Sequence, residues 1–105
     1  MRNYIQLVGH LGQDPELTSF DNGGTKARIS VATNRRYKSR DGEPVEETTW
    51  HRVVGYGTTA EIMRDKLARG KRVLIEGRME YRSYENKEGQ KVQASEVIAQ
   101  RVLAL

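Results

Sequence analysis

The chain has 105 residues, 36% of them hydrophobic, with a mean hydropathy of -0.76 and a formal net charge of +4, and its length predicts a single domain. With no Cys it excludes disulfides, thiolate metal sites and Cys nucleophiles. It has no apolar run of membrane-spanning length and no signal-peptide core, so a cytoplasmic protein is expected, and an excess of 18 Lys and Arg over 14 Asp and Glu fits an anionic partner.

Asn3 to Leu11 alternates, with Ile5, Leu7, Gly9 and Leu11 on one side and Tyr4, Gln6, Val8 and His10 on the other. That period is a strand, in which Gly9 marks a bulge or a close backbone approach. G-Q-D-P at Gly12 to Pro15 breaks it, Leu17 to Phe20 can resume it, and Asp21-Asn22-Gly23-Gly24 is a turn. Thr25 to Asn34 is a second clear strand, with Ala27, Ile29, Val31 and Thr33 inward and Lys26, Arg28, Ser30 and Asn34 outward. Arg35 to Glu47 has no periodicity and reads as a long loop or hairpin, basic around Tyr37 and acidic from Glu43 onward.

Thr48 to Gly57, T-T-W-H-R-V-V-G-Y-G, is the stretch around which the chemistry gathers. Alternation puts Trp50, Arg52, Val54 and Tyr56 on one side and His51, Val53 and Gly55 on the other. Thr58 to Arg69 reads as the one helix. Thr58 and Glu61 have capping-box spacing, Ala60, Met63 and Leu67 form a stripe, and Gly70 suits the position after the C-cap. Lys71 to Tyr84 is extended, Asn86 to Gly89 is a hairpin tip, and Val92 to Leu105 is a last strand tied into the core.

Three strands, a short helix and two more strands make an all-β domain over residues 1–105. That is the layout of a five-stranded Greek-key OB-fold barrel with extended β-hairpin loops. An open antiparallel sheet capped by the helix has the same order.

On the Trp50 face, two large rings flank a guanidinium, which suits base stacking and phosphate pairing. The plainer alternative is a half-buried strand whose rings are core and whose Arg snorkels. In the OB-fold layout Tyr37, from the basic run Arg35, Arg36, Tyr37, Lys38, and Tyr84, beside Arg78 and Arg82, fall on two projecting hairpins that flank that face. Sequence-distant rings converging on one basic groove form a platform for single-stranded nucleic acid. Tyr81, of opposite parity, is expected to pack, Tyr4 and Phe20 are read as structural, and His51 as a core or subunit contact.

A rival lies in Gly55-Tyr56-Gly57-Thr58-Thr59-Ala60, which matches G-x-G-x-x-A, with Glu76 near the spacing of a ribose-binding acid. A doubly wound sheet would need an apolar first strand, and W-H-R-V-V is not one. Neither a metal cluster nor a nucleophile–base pair is visible, so no cofactor and no catalysis are expected.

The chain resembles the bacterial-type single-stranded DNA-binding proteins over nearly its whole length. The resemblance rests on L-V-G-H-L-G-Q-D-P-E at Leu7 to Glu16, N-G-G at Asn22 to Gly24 and I-S-V-A-T at Ile29 to Thr33. It continues through T-W-H-R-V-V at Thr49 to Val54, T-T-A-E at Thr58 to Glu61 and I-E-G-R at Ile75 to Arg78. The resemblance implies sequence-independent binding of single-stranded DNA, serving replication, recombination and repair. The rings of Trp50 and Tyr56 would stack on bases, as would Tyr37 and Tyr84 at positions where the family often has Trp. Phosphates would meet Arg35, Arg36, Lys38, Arg52, Arg78 and Arg82, while Thr58 stands where a basic residue often follows Y/F-G. It also implies a homotetramer with His51 near a subunit contact. Family members usually continue into a flexible linker and an acidic tip; this sequence stops at Leu105, as a trimmed core or a short natural form, so tail-mediated partners are not assigned to it.

Overall fold

The computed structural model describes residues 2–105. Its elements run β1 (Ile5–Leu11), β2 (Glu16–Ser19), β3 (Thr25–Lys38), β4 (Pro44–Tyr56), α1 (Thr58–Lys66), β5 (Arg72–Glu85) and β6 (Lys91–Ala104). The sheet order β1-β5-β6-β4-β3-β2 closes on itself, because β1 also pairs with β3 at His10–Ala32 and Leu11–Val31. β1, β3, β4, β5 and β6 therefore form a closed five-stranded barrel, the OB-fold arrangement expected from the element order. β2 is the continuation of β1 after the G-Q-D-P break, and it lies along β3 from Glu16–Arg28 to Ser19–Thr25.

Alternation fills the barrel as the sequence predicts. Leu7, Leu11, Ala27, Ile29, Val31, Val53, Val73, Ile75, Val97, Ala99 and Val102 point inward, and Ala60, Met63 and Leu67 of the helix side close the core. Gly9 sits where β1 crosses β3, and a Cβ there would run into the carbonyl of Ala32. That is the close backbone approach its position in the strand pointed to.

Of the loop and the hairpin left open for Arg35 to Glu47 the structure has the hairpin, since β3 and β4 stay in register as far as Lys38–Pro44 and Ser39 to Glu43 form the tip. The mixed polarity of that arm hides its strand character because no layer covers either face. The helix stops at Lys66, and extended Leu67 is its C-cap. Gly70, with φ 82°, instead turns the chain back, its N–H bonded to the Leu11 carbonyl. The Thr58–Glu61 capping box is not formed: Gly57 is the N-cap, with no side-chain cap, and its carbonyl takes the Glu61 N–H. The G-Y-G-T-T-A run does open a helix, but β4 before it pairs antiparallel with β3 over its length, which is not the sheet of a dinucleotide fold.

Two hairpins, β3–β4 and β5–β6, extend beyond the barrel and stretch the molecule to 56 × 40 × 32 Å. β4 and β6 run parallel and pair only through Val53–Val97 and Val54–Ile98. On the N-terminal side of those pairs the strands part, and each arm leaves with its own partner. The gap between the arms is where the site lies.

Candidate nucleic-acid interface

The outward face of β4 is built by simple parity and by what lies beside it. In register, Tyr56 stands opposite Lys26, Val54 opposite Arg28, Arg52 opposite Ser30 and Trp50 opposite Ala32. Trp50 is 59% exposed and Tyr56 48%, so neither ring is core. Val54, of the same parity, is fully buried, because it lies beside Ile98 at the one place where β4 and β6 meet. The face is thus an apolar seam with a ring and a guanidinium on one side of it and a ring on the other.

The Trp50 indole has a seat. A Cβ built on Gly12 would fall 2.5 and 2.7 Å from its Cζ3 and Cη2 atoms. The loop carrying that glycine is fixed at two points. The Gly12 N–H donates to the Ser30 carbonyl at 3.1 Å. The Asp14 carboxylate accepts the Arg69 N–H at 2.8 Å, which ties the loop to the segment after the helix. In the sequence G-Q-D-P reads as a strand break and as part of the family resemblance, and nothing local in it signals an aromatic overhead.

Where the arms part, an open cleft of about 390 Å³ is lined by Trp50, His51 and Arg52 on one wall and by Met79, Tyr84 and Glu96 on the other. The structure therefore brings Trp50, Arg52 and Tyr84 to one cleft, with Tyr56 further along the same β4 face. Arg78 and Arg82 share the parity of Tyr84 on β5, opposite Ile98 and Ala94. Tyr37 is not brought there. It pairs with Val45, and alternation sets it on the other face of the β3–β4 ribbon from Trp50. Its hydroxyl donates to Glu47 at 2.9 Å, and the Arg35 guanidinium lies 4.8 Å from its ring centroid. The hydrogen bond to Glu47, reinforced by that carboxylate's charge, holds the Tyr37 phenol above its ordinary pKa.

The basic residues differ in how free they are. Arg78 is held by Glu80 at 2.9 Å, and Arg36 reaches Glu46 at 4.0 Å. Among the described residues, Arg35, Lys38, Arg52 and Arg82 have no carboxylate within ion-pair distance. Arg28, on the same face as Arg52, is paired with Glu16. His51 is half-buried, its Nε2 2.8 Å from the Thr33 hydroxyl. Tyr81, expected to pack, is 76% exposed, since the β5–β6 arm has no layer against it. Tyr4 donates its hydroxyl to Glu76 at 2.5 Å on the far side of the barrel.

A family model described as "Single-strand binding protein family" matches residues 2–105. A curated relative, "Single-stranded DNA-binding protein 1" of Chlorobaculum tepidum, is 39% identical over 97 residues, which is 91% of this chain and 60% of the relative. The chain thus spans about 60% of that relative's length. The solved "Plasmodium falciparum SSB complex with ssDNA" superposes with a TM-score of 0.93 at 28% identity, covering 100% of this chain and 96% of that one.

Proposed function

The chain belongs to the single-strand binding protein family, and from that premise we propose that it binds single-stranded DNA largely without reading its sequence, along the outer face of β4 and the cleft between the two arms. The observation that carries this is the exposure of Trp50 and Tyr56 on the face that also bears the unpaired Arg52. A ring standing in solvent on a rigid strand is pre-organised to stack, and every base has a face to stack on. Trp50, Tyr56 and Tyr84 are the stacking residues. Tyr37 serves a strand that runs on over the β3–β4 arm, with Arg35, Arg36 and Lys38 beside it for the phosphates. Arg52, Arg78 and Arg82 take phosphates around the cleft.

The activity is binding and shielding of single strands during replication, recombination and repair in the cytoplasm, with no chemical step. Several copies act together, and we take a homotetramer as the assembly. Two features support self-association. Among the described residues the other edge of β1 is unpaired from Ile5 to Gly9, and such an edge invites another strand. Outside that strand Val8 and Leu103 are exposed, with Leu74 between them in register. His51, on the inward parity of β4, is placed in this proposal near the contact between copies.

The test is titration of a fluorescein-labelled oligo-dT read by anisotropy. Trp50→Ala and Tyr56→Ala should each weaken binding by about 1–3 kcal/mol while leaving thermal unfolding nearly unchanged, because both rings are already in solvent. Wild-type affinity in both variants would return these rings to structural roles. Light scattering should give the mass of four chains; the mass of one would contradict the assembly.

A further inference from the structure

One carboxylate lies in the middle of this face. On β6, Val97 and Ala99 point into the core, so Glu96 and Ile98 point outward with Val54 and Arg52. Glu96 is only 7% exposed, the one charged residue among the buried ones of the described residues, and it lines the cleft between the arms. Among the described residues its side chain makes no ion pair and no hydrogen bond. Its cross-strand partner on β5 is Glu80, whose carboxylate is taken by Arg78. Arg52 lines the same cleft without reaching it. Among the described residues no polar side-chain atom is both sealed and unbonded, so the Glu96 oxygens stay accessible from the cleft.

A carboxylate that opens only onto the cleft, with no ion-pair or hydrogen-bond partner among the described residues, has its acceptor positions free for a ligand's donors. The chain supplies none here, so a ligand that brings donors fits. A phosphate is repelled. A nucleobase fits on every count. Trp50 and Tyr84 offer ring faces, Met79 and Val97 an apolar wall, and Glu96 an acceptor for the base's Watson–Crick edge. Guanine presents N1–H and N2–H side by side to a carboxylate, and cytosine and adenine each present an exocyclic amine. Thymine presents a single N–H between two carbonyl oxygens, which oppose a carboxylate.

We propose that this cleft is a base-accepting subsite in which Glu96 turns bases inward and phosphates outward, and favours amino-bearing bases, guanine above all, over thymine. The proposal rests on the reading that this face binds single-stranded DNA, and it adds a bias at one subsite to binding that is otherwise sequence-tolerant.

The experiment uses the full chain and two labelled oligonucleotides, an oligo-dT and the same strand with one central guanine, titrated against wild type and Glu96→Gln at fixed salt. Comparing ratios cancels the contacts common to both strands. Wild type should prefer the guanine strand by about tenfold, the low end of what a carboxylate–base pair gives. Glu96→Gln, whose amide pairs either way, should bring the ratio to about one while binding oligo-dT at least as well as wild type. Glu96→Asp keeps the charge but withdraws it by one methylene, so it should also lose most of the preference, and it serves if the Gln variant folds poorly. A preference unchanged in both variants, or absent in wild type, overturns the subsite and leaves the stacking face intact. Failure of wild type to bind either strand at low salt overturns both.

Discussion

The Gly12→Ala substitution separates the seat of Trp50 from its exposure. The added methyl would lie 2.5 Å from the indole, against the 3.5 Å or more of an ordinary carbon contact. Something must move by about 1 Å. The loop is held by the Ser30 carbonyl and by Asp14, whereas the indole is the free end of a side chain 59% exposed. The ring yields. Gly12 is not among the glycines with positive φ, so Ala fits the backbone and lowers the entropy of the unfolded chain, worth about 0.4–1 kcal/mol. The repulsion offsets that gain, and net stability should change by less than about 1 kcal/mol. Binding should suffer more. Lifting the ring forfeits about half of a stacking contact of about 1–3 kcal/mol, or about two- to tenfold in affinity for oligo-dT. Because Trp50 is the one Trp in the chain, its emission reads the displacement directly. A shift in the free protein's emission maximum with a preserved unfolding midpoint is the expected pair of results. An unshifted spectrum with wild-type affinity would refute the seat, and a large loss of stability would mean that the loop, not the ring, gives way.

Log affinity should fall linearly with log salt, and Arg52→Ala should flatten the slope by about 0.7; Arg78→Ala, whose guanidinium is already held by Glu80, should flatten it less, and equal effects would contradict the distinction between free and paired cations. Met63 is fully buried against the barrel and lies under Gly55, so Met63→Ala should cost about 2–5 kcal/mol in denaturant unfolding; a loss below about 1 kcal/mol would contradict the helix as the closing layer of the core. The Tyr37 phenol, raised by its hydrogen bond to Glu47, keeps its proton to higher pH in the folded chain than in the unfolded one. The contact therefore stabilises below the ordinary Tyr pKa and is lost as pH rises through the raised value. Glu47→Gln should move one tyrosine back toward about 10 in a difference absorbance titration, and superimposable titrations would remove the contact.

The barrel was legible because its signal is local. Period-two burial marks Leu7, Ala27, Ile29, Val31 and Val53 wherever a strand has one covered face, and each is buried. The β4 face was legible for the same reason, since Trp50, Arg52 and Tyr56 follow from parity alone. The arms were not, because alternation carries information only where one face is buried. Arg35 to Lys38 pair perfectly well yet show no period, and Tyr81 and Tyr37 took their surroundings from the arms rather than from neighbouring residues. Val54 and Glu96 broke the inside–outside rule for one shared cause, the brief parallel meeting of β4 and β6, which no local pattern announces. Gly12 was invisible as a seat because the ring above it comes from a strand more than thirty residues away in the chain.

The central claim is that the open β4 face holds unpaired bases against its rings, and the sole tryptophan reports on it. Adding oligo-dT to the chain at low salt should quench Trp50 emission to a plateau, with added salt restoring it. Emission that stays constant through saturating oligo-dT at low salt would contradict the account.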